Sequence, residues 1–136
     1  MSALQKYAWF NLAVVALTVV TVLLLFPLMG KGALGGLGWL GLTGLGPFFF
    51  RGKPGQVVTD ERDQQIQRRS WVLAYALFWV AFVLAAALVA PLAYGYDGAV
   101  PVWVVQVSVF GGYMFVCALA SVAILVQYAG GSGDAQ

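Results

Sequence analysis

The residues able to do chemistry in this chain are few, and half of its charge sits in one stretch. Thr59 to Ser70, TDERDQQIQRRS, holds three acids (Asp60, Glu61, Asp63) and three bases (Arg62, Arg68, Arg69). There is no histidine, and the one cysteine, Cys117, lies in an apolar run where it can form no internal disulfide. Enzymes and ion-coupled carriers of this apolar type place a buried Asp, Glu, His or Arg where protons or substrate charges move. The long apolar windows of this sequence contain none of these. No metal-ligand cluster or nucleophile–base pair is visible, and the glycine-rich run after residue 30 lacks the Lys-Ser/Thr ending of a phosphate-cradling loop. The expectation is a protein that is not an enzyme, with no catalytic residue, no metal and no cofactor.

The charged stretch therefore carries the functional reading. On a helix Arg62, Ile66 and Arg69 share one face, while Asp60, Asp63, Gln64 and Gln67 share another. That leaves one sparse apolar contact point on a mixed-charge exterior, suited to docking a cytosolic or membrane protein partner through Asp60, Glu61, Arg62, Asp63, Ile66 and Arg69. Three acids among the five bases of residues 51–70 argue against a dedicated clamp for lipid headgroups. The basic residues form no groove-reading patch, and the net charge is only +2, so nucleic acid is not an expected partner.

The elements that must hold this stretch are membrane spans. The chain is 62% hydrophobic and 9% charged, with a mean hydropathy of +0.88, too apolar to cover a soluble fold. About 20 apolar residues in a helix cross a bilayer core of about 30 Å. Windows of that kind lie at 8–29, 32–50, 71–94 and 102–128. The Leu, Val and Phe residues of the first favour insertion by roughly 5 kcal/mol, and the run is too long for a signal-peptide core, so a retained span is expected. The second is marginal. Its glycines at 32, 35, 38, 41 and 44 wander around an α-helix, and only Gly32 and Gly36 have the spacing that lets two α-helices approach closely. It reads as a thin helix packed between neighbours, with a re-entrant segment as the alternative.

Lys53-Pro54-Gly55 suits a type II turn, Thr59 or Asp60 suits a helix cap, and no Pro or Gly interrupts residues 60–90. The third span should thus begin outside the bilayer as a polar helical stalk. Pro101 fits the first turn of the fourth span, in which Gln106 is expected to make an interhelical hydrogen bond, and residues 129–136 read as a disordered tail. With four crossings, Lys6, Arg51, Lys53, Arg62, Arg68 and Arg69 fall on one side and only Lys31 on the other. The positive-inside rule then puts both termini and the central loop in the cytoplasm. The fold class expected is all-α and integral to the membrane: four transmembrane helices in two hairpins, the third extended into the cytoplasm.

Two hairpins joined by a loop with Asp60-Glu61-Arg62 and then Ile66 resemble a family of small predicted bacterial membrane proteins of unknown function that carry an Asp-Glu-Arg motif in that loop. The resemblance covers nearly the whole chain. It implies a place beside small helix-turn-helix regulators, and so a regulatory or accessory role in the bacterial inner membrane; no catalytic residue carries over. Two other readings are a small homo-oligomeric channel or carrier for an uncharged or hydrophobic solute, and an immunity or stress protein that protects the membrane.

Overall fold

A computed structural model of the chain describes residues 2–49, 61–95 and 98–130. Among the described residues every element is helical: α1 (Ala3–Met29), a 3₁₀ helix (Gly30–Leu45), α2 (Gly46–Phe49), α3 (Glu61–Leu84), a π turn (Ala85–Val89), α4 (Ala90–Tyr94) and α5 (Val102–Gly130). The Lys-Pro-Gly turn, the Thr59 or Asp60 cap, Asp60 itself and the tail from 131 lie outside the described residues. Three stretches are long and apolar enough to cross a membrane: Ala3–Leu45, Glu61–Tyr94 and Val102–Gly130. The first is not straight.

α1 starts at a capping box. The Ser2 hydroxyl accepts from the Gln5 amide (3.2 Å), and the Gln5 side chain accepts from the Ser2 amide (2.8 Å), which satisfies two donors that helix geometry leaves over. Leu4, Ala8, Asn11, Val14 and Thr18 form its buried stripe at three- and four-residue spacing. The helix ends where Gly30 takes φ +54°, a conformation open to glycine, with its amide bonded to the Phe26 carbonyl. The chain then reverses and runs back along α1. Gly36 lies on Thr21 and Val22, Gly46 on the Tyr7 ring, and Phe49 lies 6.1 Å from Phe10, centroid to centroid.

The returning arm of this hairpin differs from the α-helix expected at 32–50. A 3₁₀ helix has about three residues per turn, so side chains at i and i+3 eclipse, and runs beyond three or four residues are uncommon. Glycine at every third position removes that eclipse along one line. The glycines that scatter around an α-helix are therefore gathered into a single stripe, at 32, 35, 38, 41 and 44. The stripe is exposed: a Cβ at Gly35, Gly38, Gly41 or Gly44 would meet nothing within 4 Å, and Gly38, Gly41 and Gly44 line an open cleft of about 520 Å³ whose far wall is Val109, Phe110 and Tyr113 of α5. Ala33, Gly36, Leu40 and Thr43 face inward.

α3 opens with Glu61 and Asp63, acids that suit the positive end of a helix dipole. It buries Ile66, Ser70 and Ala74, a stripe one turn apart, against the Val116–Ile124 part of α5. Ala74 and Ala120 are small enough for the backbones to come close, and Gly112 lets the Phe78 ring sit on α5, where an added Cβ would lie 2.7 Å from the ring. Beyond Leu84 the helix widens into the π turn just before Pro91, whose ring would clash with the carbonyl four residues back. Gly95, at φ +67°, ends it by donating to the Pro91 carbonyl (2.8 Å).

α1 packs on both the 3₁₀ helix and α5, and α5 packs on α3. The 3₁₀ helix also touches α5, and Ile66 of α3 reaches α1, yet the elements enclose little interior. Leu23, Leu24, Leu28, Val72, Val80, Val102 and Val126 are among many large apolar side chains more than half exposed. Soluble monomers rarely expose so much contiguous apolar area.

Candidate docking surface

The first turns of α3 do not stand free as an isolated stalk. α1 begins at Ala3 and α5 continues to Gly130, so the three helix ends reach the same level and enclose the inward side of the charged stretch. Ile66 is buried with Leu4 and Ala8 of α1 and Ile124 of α5. Asp63, half-buried, accepts a hydrogen bond from the Tyr128 hydroxyl. One turn deeper, the Gln127 amide donates to the Ser70 hydroxyl (2.8 Å) and to the Ala123 carbonyl (3.3 Å). Ser70 is fully buried, so its oxygen would otherwise be left without a partner in an apolar setting.

With these groups turned inward, α3 presents Glu61, Arg62, Gln64, Gln65, Arg68 and Arg69 outward, all exposed. Arg62, Gln65, Ile66 and Arg69 meet Gln127 and Gly130 around a surface cleft of about 300 Å³. The structure thus brings together Arg62, Ile66 and Arg69 at the cleft, engages Asp63 with Tyr128, which also packs on the Ile66 cluster, and leaves Glu61 at the helix start. Asp60 is outside the described residues.

The residues singled out for helix packing lie apart. Gly36 is buried against α1, Gly32 is exposed beside Met29, and Gln106 is exposed on α5 with no hydrogen bond among the described residues. The interhelical polar contacts fall elsewhere. The Thr43 hydroxyl of the 3₁₀ helix is 2.7 Å from the Tyr113 hydroxyl of α5 and 2.7 Å from the Leu40 carbonyl, to which it donates. Asn11 is 3% exposed, and its side-chain oxygen has no hydrogen-bond partner among the described residues. Only the pairing of helices reveals what the Tyr128 and Tyr113 hydroxyls meet. The buried stripe of α3, with Ser70 one turn from Ile66, was the available signal for Gln127.

At the opposite end the π turn and α4 stand away from the first half of α5. They leave an apolar cleft of about 760 Å³, walled by Phe78, Phe82, Ala85, Ala86, Val104 and Val109 among others. Lys31 lies over the Trp103 ring at this end, 5.8 Å from its centroid. Among the described residues no group of His, Cys, Asp and Glu could hold a metal ion, and Cys117 is buried and free.

No curated protein and no solved structure matches the chain. A family model does, over residues 5–131, nearly the whole length. The chain belongs to the family described as Predicted membrane protein (DUF2178).

Proposed function

We propose that the protein is a non-enzymatic accessory or regulatory subunit of the bacterial inner membrane, whose charged end docks a protein partner in the cytoplasm or the membrane. The observation that carries this reading is the division of the first turns of α3. Ile66, Asp63 and Ser70 are tied to α1 and α5, which holds the helix rigid, while six polar or charged side chains face outward. A rigid helix presents its polar groups with less ordering cost than a loose loop.

The orientation follows from charge. In this reading α1, the 3₁₀ helix with α2, α3 with α4, and α5 each cross, with both termini and residues 51–70 in the cytoplasm. At about 2.0 Å per residue, a 16-residue 3₁₀ helix reaches about 32 Å, where an α-helix of that length would fall short of a bilayer core of about 30 Å. The unusual helix type is thus what lets a short segment span. Photo-crosslinking from Gln64 in cells should trap one discrete protein; adducts with lipid or with the chain itself alone would remove the basis for a partner.

The exposed glycine stripe favours a second reading, a homo-oligomeric channel or carrier for an uncharged or hydrophobic solute, assembled where 3₁₀ helices of neighbouring copies approach closely. Gly41→Leu should then abolish the oligomer in mild detergent and solute flux in vesicles. An unchanged oligomer, or no flux in either protein, counts against it.

A further inference from the structure

We propose that the arginine cleft at the charged end is a site for one anionic phospholipid, its phosphate held between Arg62 and Arg69 and one acyl chain lying along α3 below them. The inference rests on the membrane reading above and needs no protein partner.

In the linear sequence the acids beside these arginines argue against such a site, but the folded chain turns Asp63 toward Tyr128 and leaves Glu61, at the helix start, as the one described acid on the side of Gln65. At about 100° per residue Arg62, Gln65 and Arg69 lie within about 60° of one another on α3, while Asp63 is about a quarter-turn away and is engaged by Tyr128. No ion pair among the described residues joins Arg62 or Arg69 to an acid. Two guanidinium groups one helical face apart, with the Gln65 amide between them, offer donors in the planar geometry that phosphate oxygens accept.

The second observation selects a lipid over a free phosphate. Gln65 and Arg69 line not only the cleft of about 300 Å³ but also an adjoining groove of about 570 Å³, whose other walls are Arg68, Val72, Leu73 and Ala76. The groove is basic at its top and apolar one turn below, an amphipathic profile that a soluble anion does not need. Depth agrees. Val72 and Leu73 are exposed apolar residues directly after Trp71, so Arg69 sits where hydrocarbon gives way to headgroups. Arg62 is seven residues further out, about 10 Å along the helix, a distance its long side chain shortens by bending toward the interface.

The test is native mass spectrometry of the full chain in mild detergent, titrated with phosphatidylglycerol or phosphatidylcholine of identical acyl chains. Phosphatidylglycerol should bind in one-to-one stoichiometry, at least fivefold more tightly. Arg62→Gln and Arg69→Gln should each weaken it about fivefold, the contribution expected of one basic residue near anionic lipid. Lys6→Gln, the same charge change on α1 at the same end, should leave it unchanged. Gln65→Glu, an exposed substitution that adds repulsion without removing an arginine, should weaken it as well and serves if the arginine variants unfold. Equal binding of the two lipids, an equal loss in Lys6→Gln, or displacement by glycerol phosphate at the concentration of the lipid itself would each overturn the proposal. So would arginine variants that lower thermal stability while keeping the lipid preference, since the arginines would then serve the carbonyls at the end of α5.

Discussion

At the scale of single residues, the groups that matter most are polar atoms placed where water is scarce. Tyr128 and Asp63 close the charged end of α3 onto α5, and hydrogen bonds to charged groups are worth about 1.5–3 kcal/mol against about 1 for neutral pairs. Tyr128→Phe should therefore cost about 1–2 kcal/mol, allowing for the partial exposure of the pair, and Asp63→Asn, which keeps an acceptor, should cost less. The midpoint of SDS-induced unfolding measures both. Asn11 presents the reverse case. Its oxygen is buried without a partner among the described residues, so Asn11→Leu removes an uncompensated polar group and should raise that midpoint, whereas Ser121→Leu overfills a small buried site and should lower the stability by about 1–3 kcal/mol.

At the scale of elements, the glycines divide by what they touch. Gly36 is pressed on Thr21 and Val22, with 3.2 Å left for a Cβ, so Gly36→Leu should part the 3₁₀ helix from α1 and cost about 1–3 kcal/mol. Gly38→Leu enters open space and should leave the stability of the hairpin within about 0.5 kcal/mol, as surface changes do. Thermal unfolding in detergent separates the two, and equal losses would show that the stripe is not free. Gly112→Val meets the Phe78 ring and should loosen α3 from α5; the readout is faster amide exchange in α3 around Ala74, with α1 unaffected.

For the whole molecule, a set of helices with such long apolar exposures has no stable arrangement in water, and its orientation rests on charge. Among the described residues Lys6, Arg62, Arg68 and Arg69 lie at the charged end and Lys31 at the other. Lys53→Cys should react with membrane-impermeant thiol reagents only from the cytoplasmic side and Lys31→Cys only from the outside, in a Cys117→Ala background. Reporters fused at the two ends should fall on the same side. Opposite sides would mean that the 3₁₀ hairpin turns back within the bilayer.

The chain alone determined the helical class, the apolar segments and the place of the charged stretch, because hydrocarbon solvates apolar side chains and refuses charges wherever they stand in a fold. The start of α1 at Ser2 and Gln5 likewise depends only on neighbours in sequence, although the apolar window placed the span from residue 8. Tertiary structure alone decided three things. Whether glycines at every third position scatter or align depends on 3.6 or 3.0 residues per turn, a choice made by the packing of the 3₁₀ helix on α1. Whether acids and arginines of one helix act together depends on which are drawn inward, and Tyr128 comes from 65 residues away to draw in Asp63. The cleft at Arg62 and Arg69 exists only because α5 ends beside it. Contacts between residues distant in the chain leave no local periodicity to read.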